Sequence, residues 1–203
     1  MPGMPTLIED EKGQLLAYLD QQRDFIRLAA YGLTEEQARL SPSVSALSVG
    51  GVIKHVAKVE QHWMGIAAQR PVEPDPESYQ DGFRLGPEKS LEGMLALYES
   101  VAAETDRVVR SLALEQPVPV PQGVPWFPKD IDAWNVRWVV LHLVEETARH
   151  AGHADIVRES IDGATWFTLM SAVENWDLRP WVEPWQPPTG AARATARSSA
   201  KRS

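Results

Sequence analysis

The chain has 203 residues, of which 43% are hydrophobic and 24% charged, with a formal net charge of −8 and no cysteine. This composition is typical of one soluble globular domain rather than of a disordered or membrane-embedded chain. The absence of cysteine excludes disulfides, thiolate metal ligands and a cysteine nucleophile, so any metal has to be bound by nitrogen and oxygen ligands.

The first residues of the sequence do not have the pattern of a targeting signal. These residues, MPGMPTLIEDEKGQ, lack the basic and apolar regions of a signal peptide. No stretch of the sequence reaches the roughly 18 uninterrupted apolar residues of a membrane span. The sequence therefore predicts a cytoplasmic protein with no membrane partner.

Helical patterns dominate the first third of the chain. Apolar residues recur at helical spacing over about residues 9–31, and Gly32 ends this first predicted helix. A short helix follows Thr34, which is a plausible N-cap. Ser48 is the predicted N-cap of the next long helix, over about residues 49–69.

Two proline-rich connections separate the remaining helices. Residues 71–87 form a long acidic connection of the kind that often shapes a functional rim. A third long helix is predicted from Ser90 to about residue 114, and residues 116–134 contain too many prolines for a helix or a central strand. The fourth long helix begins at Asn135 and ends at Gly163.

Four long amphipathic helices, almost without strand signals and without an internal repeat, predict an all-α four-helix bundle. We expect this domain to span residues 1–188 and to be followed by a basic disordered tail over residues 189–203. Without the four positive charges of that tail, the body carries about −12, from −8 less +4. Such a body would repel a phosphate backbone, so we expect no nucleic-acid partner.

A stripe of titratable side chains follows one face of the fourth helix. His142, Glu146, His150 and His153 are spaced by four, four and three residues, so a helix places all of them on the same side. Bundles build metal sites from stripes of this kind when they face inward. The alternative interpretation is a polar stripe in which each histidine is hydrogen-bonded or solvated.

One helix reaches only one side of a metal ion, so a further ligand has to come from another helix. His55, in the middle of the second long helix, is the natural candidate. His62 lies two turns further along, about 10 Å away along the helix axis, and is expected to belong to the rim, the core or the surface.

Other residues of the C-terminal part have weaker signals. Gly152 costs its helix about 1 kcal/mol relative to alanine, which suggests a close packing contact or the approach of a ligand there. Arg149 and Arg158 are interpreted as surface charges rather than substrate clamps. The tryptophans near the C-terminus are expected to pack against the bundle, with a lid over one of its ends as the alternative: Trp176, Trp181 and Trp185.

Two segments carry a resemblance to a known family. VGGVIKHVAKVEQHW resembles the second helix of the DinB-like superfamily (DinB/YfiT-like metalloenzymes), in which a histidine precedes a Glu-x-x-Trp pattern, here Glu60 to Trp63. EETARHAGHADIVRE resembles the last bundle helix of that superfamily, in which a metal ligand stands four residues before a histidine. The resemblance covers about residues 11–186 and is nearest to an actinobacterial subfamily that also ends in WVEPW.

The resemblance implies a metal centre. Many members of the superfamily have His-x-x-x-His where this chain has Glu146 and His150, and the resulting His, Glu, His set is similar to that of mycothiol-dependent maleylpyruvate isomerase. It implies that His55, Glu146 and His150 bind a divalent ion, zinc or nickel. His153 replaces a commoner glutamine and is either a ligand in place of Glu146 or a proton carrier beside the site. His142 is expected to orient the Glu146 carboxylate.

Two imidazoles and one carboxylate leave a coordination position open, which is typical of catalytic rather than structural sites. The superfamily, which includes mycothiol S-transferases, implies metal-dependent transfer of a low-molecular-weight thiol such as mycothiol to an electrophile, in detoxification or isomerisation. Two alternatives stay open, a metal-dependent hydrolase on the same site and a non-enzymatic metal-binding stress-response bundle. The resemblance is also compatible with a homodimer.

Overall fold

Helices account for most of the computed structural model, which describes residues 3–71, 81–177 and 179–187. A two-stranded antiparallel ribbon, β1 (Pro117–Pro119) with β2 (Ala133–Asn135), precedes the longest helix. The predicted all-α class is confirmed, and the four long predicted helices agree with the structure to within three residues at each end. The helices of the described residues are α1 (Glu11–Ala29), α2 (Glu35–Arg39), α3 (Val49–Ala67), α4 (Leu91–Ser111), α5 (Val136–Asp162) and α6 (Trp166–Glu174).

Capping side chains fix where these helices begin. Thr34, Ser48 and Ser90 each accept a hydrogen bond from the backbone N–H three residues on, which satisfies one of the free donors at a helix start. Asn135 does the same for α5, and Gly163 ends that helix in the left-handed conformation, with φ of 76°. The predicted caps are therefore confirmed.

The long helices enclose two clusters of buried apolar side chains, with α5 packed against α1 and α3, and α3 packed against α4. Leu143 belongs to one cluster and Ala151 to the other, so Glu146 and His150 lie where the two clusters meet. Central members of the first cluster are Ile26, Val52, Ile53 and Ala154, and of the second Leu19, Trp63, Val109 and Val140.

A buried ion pair connects three helices. The side chains of Arg23 on α1 and Glu60 on α3 are 0% and 1% exposed. The guanidinium donates to both carboxylate oxygens of Glu60, once over 3.3 Å from Nε and once from Nη2. Its Nη1 donates to Asp20 and, over 3.0 Å, to Asp106 on α4. Burial of these charges is tolerated only because each is paired.

The C-terminal segment packs against the bundle. The ring of Trp185 lies 5.7 Å from that of Tyr31 and 5.0 Å from the Arg158 guanidinium, and its backbone N–H donates to the Thr168 carbonyl over 2.9 Å. Packing is thus confirmed for Trp185, whereas Trp181 is 84% exposed. Helix α6 was not predicted, although Thr165 caps it in the usual way.

Two interpretations of α5 were wrong. Arg158 is fully buried rather than a surface charge, because Asp162 one turn later pairs with it and the carbonyls of Ala29 and Tyr31 both accept hydrogen bonds from its Nη1. The close packing contact expected at Gly152 is absent among the described residues, because this residue is exposed and an added Cβ would meet nothing within 4 Å. The alternative, the approach of a ligand there, stays a prediction. Arg149 is exposed, as predicted.

Some predictions fall outside the described residues. The tail over residues 189–203 lies there, as does most of the first proline-rich connection, residues 72–80. The domain boundary at residue 188 therefore stays a prediction. Among the helices that are described, none combines the length and the apolar content needed to cross a bilayer.

Ionisation of Asp155 on α5 is expected to destabilise the folded state. This residue is half-buried and has no hydrogen-bond partner among the described residues. Burial, and then the nearby Glu159 carboxylate, raises the pKa of Asp155 to about 6, above the value of about 3.9 in an unfolded chain. The folded state therefore binds this proton more tightly. Stability from this group is present below about pH 4 and is lost as the pH rises through 6.

We therefore expect Asp155→Asn to raise the melting temperature at pH 8 and to leave it nearly unchanged at pH 4, in thermal denaturation followed by circular dichroism. Glu159→Gln removes only the smaller cause and is expected to have a smaller effect. A shift of Asp155→Asn that is the same at both pH values would contradict this assignment.

Candidate metal centre

Three side chains from α3 and α5 converge on one point. The Nε2 atoms of His55 and His150 lie 3.1 Å and 3.3 Å from Oε1 of Glu146. One donor atom from each of the three residues lies within 4.8 Å of the other two. Glu146 and His150 are four residues apart on α5, and the packing of α3 against α5 places His55 opposite them. The structure thus brings together the three residues that the sequence selected.

These separations suit a divalent ion. Ligand atoms about 2.0–2.1 Å from a tetrahedral zinc ion lie about 3.3 Å from one another, close to the two distances found here. Hydrogen bonds from His150, and then from His55, hold the pKa of the Glu146 carboxyl well below its usual range. The carboxylate is therefore ionised at neutral pH, as a metal ligand has to be.

The site is largely buried, with a small exposed fraction on each side chain. The side chains of His150, His55 and Glu146 are 9%, 15% and 23% exposed. The ring of Phe83 stacks on that of His55 at 4.0 Å and lies 5.4 Å from that of His150. Sequence reasoning missed Phe83, and its only signal was that residues 71–87 were expected to shape a rim.

His153 is placed next to the three residues rather than among them. Its Nδ1 lies 3.4 Å from Nδ1 of His150, whose Nε2 faces Glu146. Partial burial, then the charges of His150 and Arg149, lower the pKa of His153, which favours its neutral form at pH 7. This geometry favours the position beside the ligands over the alternative in which His153 replaces Glu146.

The expectation that His142 orients Glu146 was wrong. Its ring stacks on Trp138 at 5.3 Å and meets the edge of Trp63 at 4.9 Å, with no hydrogen bond to Glu146 among the described contacts. His142 stacks on Trp138, which lies four residues before it on α5, and this contact holds its ring away from the Glu146 carboxylate. His62 lies on the surface, one of the three places expected for it.

Three protein ligands, two imidazoles and a carboxylate, would leave a coordination position of a tetrahedral ion for a small molecule, whereas a structural site surrounds the ion with four protein ligands. An ion held in this way would polarise a carbonyl group or lower the pKa of a thiol or water toward neutrality. The donor set of the described residues therefore suits a reaction in which a small molecule binds to the ion.

Comparison with known proteins identifies related chains. The family described as mycothiol-S-transferase matches residues 14–163, a range that contains all three converging residues. No curated protein matches the chain. A solved structure, the conserved protein of locus from Enterococcus faecalis, is similar with a TM-score of 0.61 and 12% identity, over 77% of this chain and 100% of that one. At this identity the likeness shows the fold alone.

Proposed function

Because the chain belongs to the mycothiol-S-transferase family, we propose that it is a divalent-metal-dependent enzyme that transfers a low-molecular-weight thiol, such as mycothiol, to an electrophile. The observation that carries the proposal is the convergence of His55, Glu146 and His150 on one point, at which each of the three side chains is partly exposed. Detoxification or isomerisation is the setting in which such a transfer is used.

The residues of the chain have separate roles in this proposal. His55, Glu146 and His150 would hold a divalent ion, zinc or nickel, and a bound ion would lower the pKa of a thiol. With Nε2 of His150 directed at Glu146 and the ion, its Nδ1 would carry the proton and donate to Nδ1 of His153. His153 is exposed, so its ring can turn away from His150 and accept the thiol proton.

Replacement of His153 by glutamine separates its two conceivable roles. A glutamine carbonyl still accepts the His150 Nδ1–H, but it carries no proton. We expect His153→Gln to keep its metal and to lose about 10²-fold in the rate of thiol transfer. The decline in rate at acid pH that comes from protonation of His153 should disappear, as measured in a pH–rate profile. A wild-type rate in this variant would mean that His153 only positions His150.

The experiment that tests the proposed function is the thiol dependence of turnover. Metal-loaded protein is incubated with a chromogenic alkylating agent, with and without mycothiol, and the loss of free thiol is measured. Consumption that needs both protein and mycothiol supports the transferase. Turnover of an electrophile without any thiol would replace it by a hydrolase, and the absence of all turnover would leave a non-enzymatic metal-binding bundle.

The proposed activity also implies a cellular location and a set of partners. Low-molecular-weight thiols are kept reduced in the cytoplasm, which is where we place this activity. Its partners are a small thiol and a small electrophile, without nucleic acid or membrane. Association into a homodimer stays a prediction from the family resemblance.

A further inference from the structure

The segment of residues 81–85 is seated directly on the first turns of α3. An added Cβ on Gly51 would lie 1.7 Å from the carbonyl oxygen of Phe83, and one on Gly50 would lie 2.6 Å from the side chain of Leu85. Any other residue at position 51 would push the segment away, because the obstacle is backbone. The two glycines therefore form a flat seat for this segment on the helix.

A polar contact holds the segment in register on that seat. The side chain of Lys54 is buried with the residue only 3% exposed, and its ammonium donates to the Asp81 carbonyl over 2.6 Å. The Arg84 N–H donates to the same carbonyl over 3.1 Å and closes the turn. A buried ammonium requires hydrogen-bond acceptors, so a shift of the segment along α3 would cost this contact of Lys54.

In this register the ring of Phe83 lies against the candidate metal centre. Phe83 is 9% exposed, and its ring lies nearly parallel to that of His55, at 4.0 Å and 25°. The imidazole of His55 is thus confined between the Phe83 ring on one side and the ring of His150, 4.6 Å away, on another. Confinement keeps its Nε2 directed at Glu146 and reduces the rotamer entropy that metal binding would otherwise cost.

We infer that residues 81–85 are part of the metal centre and that Phe83 is a positioning residue, which holds the His55 imidazole ready to bind the ion. This inference rests on the proposed function. Binding and docking are then linked: if docking of the segment raises the affinity for metal, metal binding stabilises the docked segment by the same factor. The segment of residues 81–85 should therefore be more firmly docked on α3 when a metal ion is bound.

The test compares the zinc affinities of four variants, measured by competition with a chromophoric chelator. Phe83→Leu keeps apolar bulk, so the fold is retained, but removes the flat ring face; Phe83→Tyr keeps the ring. Gly51→Ala displaces the segment through a clash with the Phe83 backbone and leaves the Phe83 side chain and the three converging residues unchanged. Gly152→Ala is the matched control, since it makes the same chemical change in a helix whose surface is open there.

We expect Phe83→Leu and Gly51→Ala to bind zinc about tenfold more weakly than the wild type, and Phe83→Tyr and Gly152→Ala to stay within about threefold. Cobalt substitution provides a second reading, because the visible absorption of bound Co²⁺ changes when a histidine ligand is misplaced. In the wild type, zinc should also slow hydrogen exchange of the amides of residues 81–85.

Zinc affinities of Phe83→Leu and Gly51→Ala within about threefold of the wild type, or exchange over residues 81–85 that zinc leaves unchanged, would overturn this inference and leave the metal centre standing. A wild-type protein that binds neither zinc nor cobalt would overturn the proposed metal centre and this inference together. The two failures are therefore distinguishable.

Discussion

Replacement of Arg23 by methionine is expected to lower the free energy of unfolding by about 3–5 kcal/mol. Arg23 is fully buried, and its side chain is the partner of the Glu60 carboxylate, which is only 1% exposed. Methionine fills much of the same space but leaves that carboxylate buried without a counter-charge. Because small proteins are stable by only about 5–15 kcal/mol, the loss should be plain in urea denaturation.

The double variant Arg23→Met with Glu60→Leu is the control for this prediction. Replacement of both members of a buried ion pair by apolar residues is often neutral or stabilising, so the double variant should recover most of the lost stability. Arg107→Met, which removes an exposed partner of Glu104 on α4, should change stability far less. If the double variant is no more stable than Arg23→Met alone, the loss of stability does not come from the unpaired Glu60 carboxylate.

The second large effect is expected at His150. His150→Ala removes a proposed metal ligand, which contacts both Glu146 and His153. If the proposed function holds, the variant should bind no ion and lose at least about 10³-fold in thiol transfer, the several kcal/mol that a metal ion supplies to such a reaction. The fold should persist, because the two apolar clusters and the Arg23–Glu60 pair do not include this residue. Measurements are the rate of thiol consumption and the melting temperature.

His62→Ala is the matched control, since it removes an exposed histidine of α3 outside the site and should keep both metal and activity. Two results together would favour the non-enzymatic bundle: the wild type has no activity, and His150→Ala has a much lower melting temperature than the wild type. In that case the ion would contribute to folding directly, as structural ions do.

The helices and the alignment of Glu146 and His150 on one face of α5 could be predicted because both depend on local rules. Spacing of apolar residues fixes the long helices, and side chains such as Ser48 and Asn135 satisfy backbone groups within three residues of themselves. The spacing of four between Glu146 and His150 holds in any α-helix. His55 required more, because its place opposite them depends on how two helices pack, and the family resemblance supplied that relation.

Features that depend on distant parts of the chain were missed or misread. Arg158 is buried because carbonyls at the end of α1, about 130 positions away in sequence, accept its N–H groups; only its spacing of four from Asp162 was visible beforehand. His142 had the spacing of a residue that supports a ligand, yet Trp63 from α3 draws its ring into an aromatic cluster. No sequence pattern marks Phe83, because its position near His55 depends on the close approach of its backbone to Gly51 on α3.

The metal content of the purified protein tests whether His55, Glu146 and His150 form a metal centre. Elemental mass spectrometry is applied to the wild type, to alanine variants of these three residues and to His153→Ala. We expect about one divalent ion per chain in the wild type and in His153→Ala, and none in the other three. A wild type that holds no ion, even after loading with zinc or nickel, would refute the metal centre and remove the basis for metal-dependent thiol transfer.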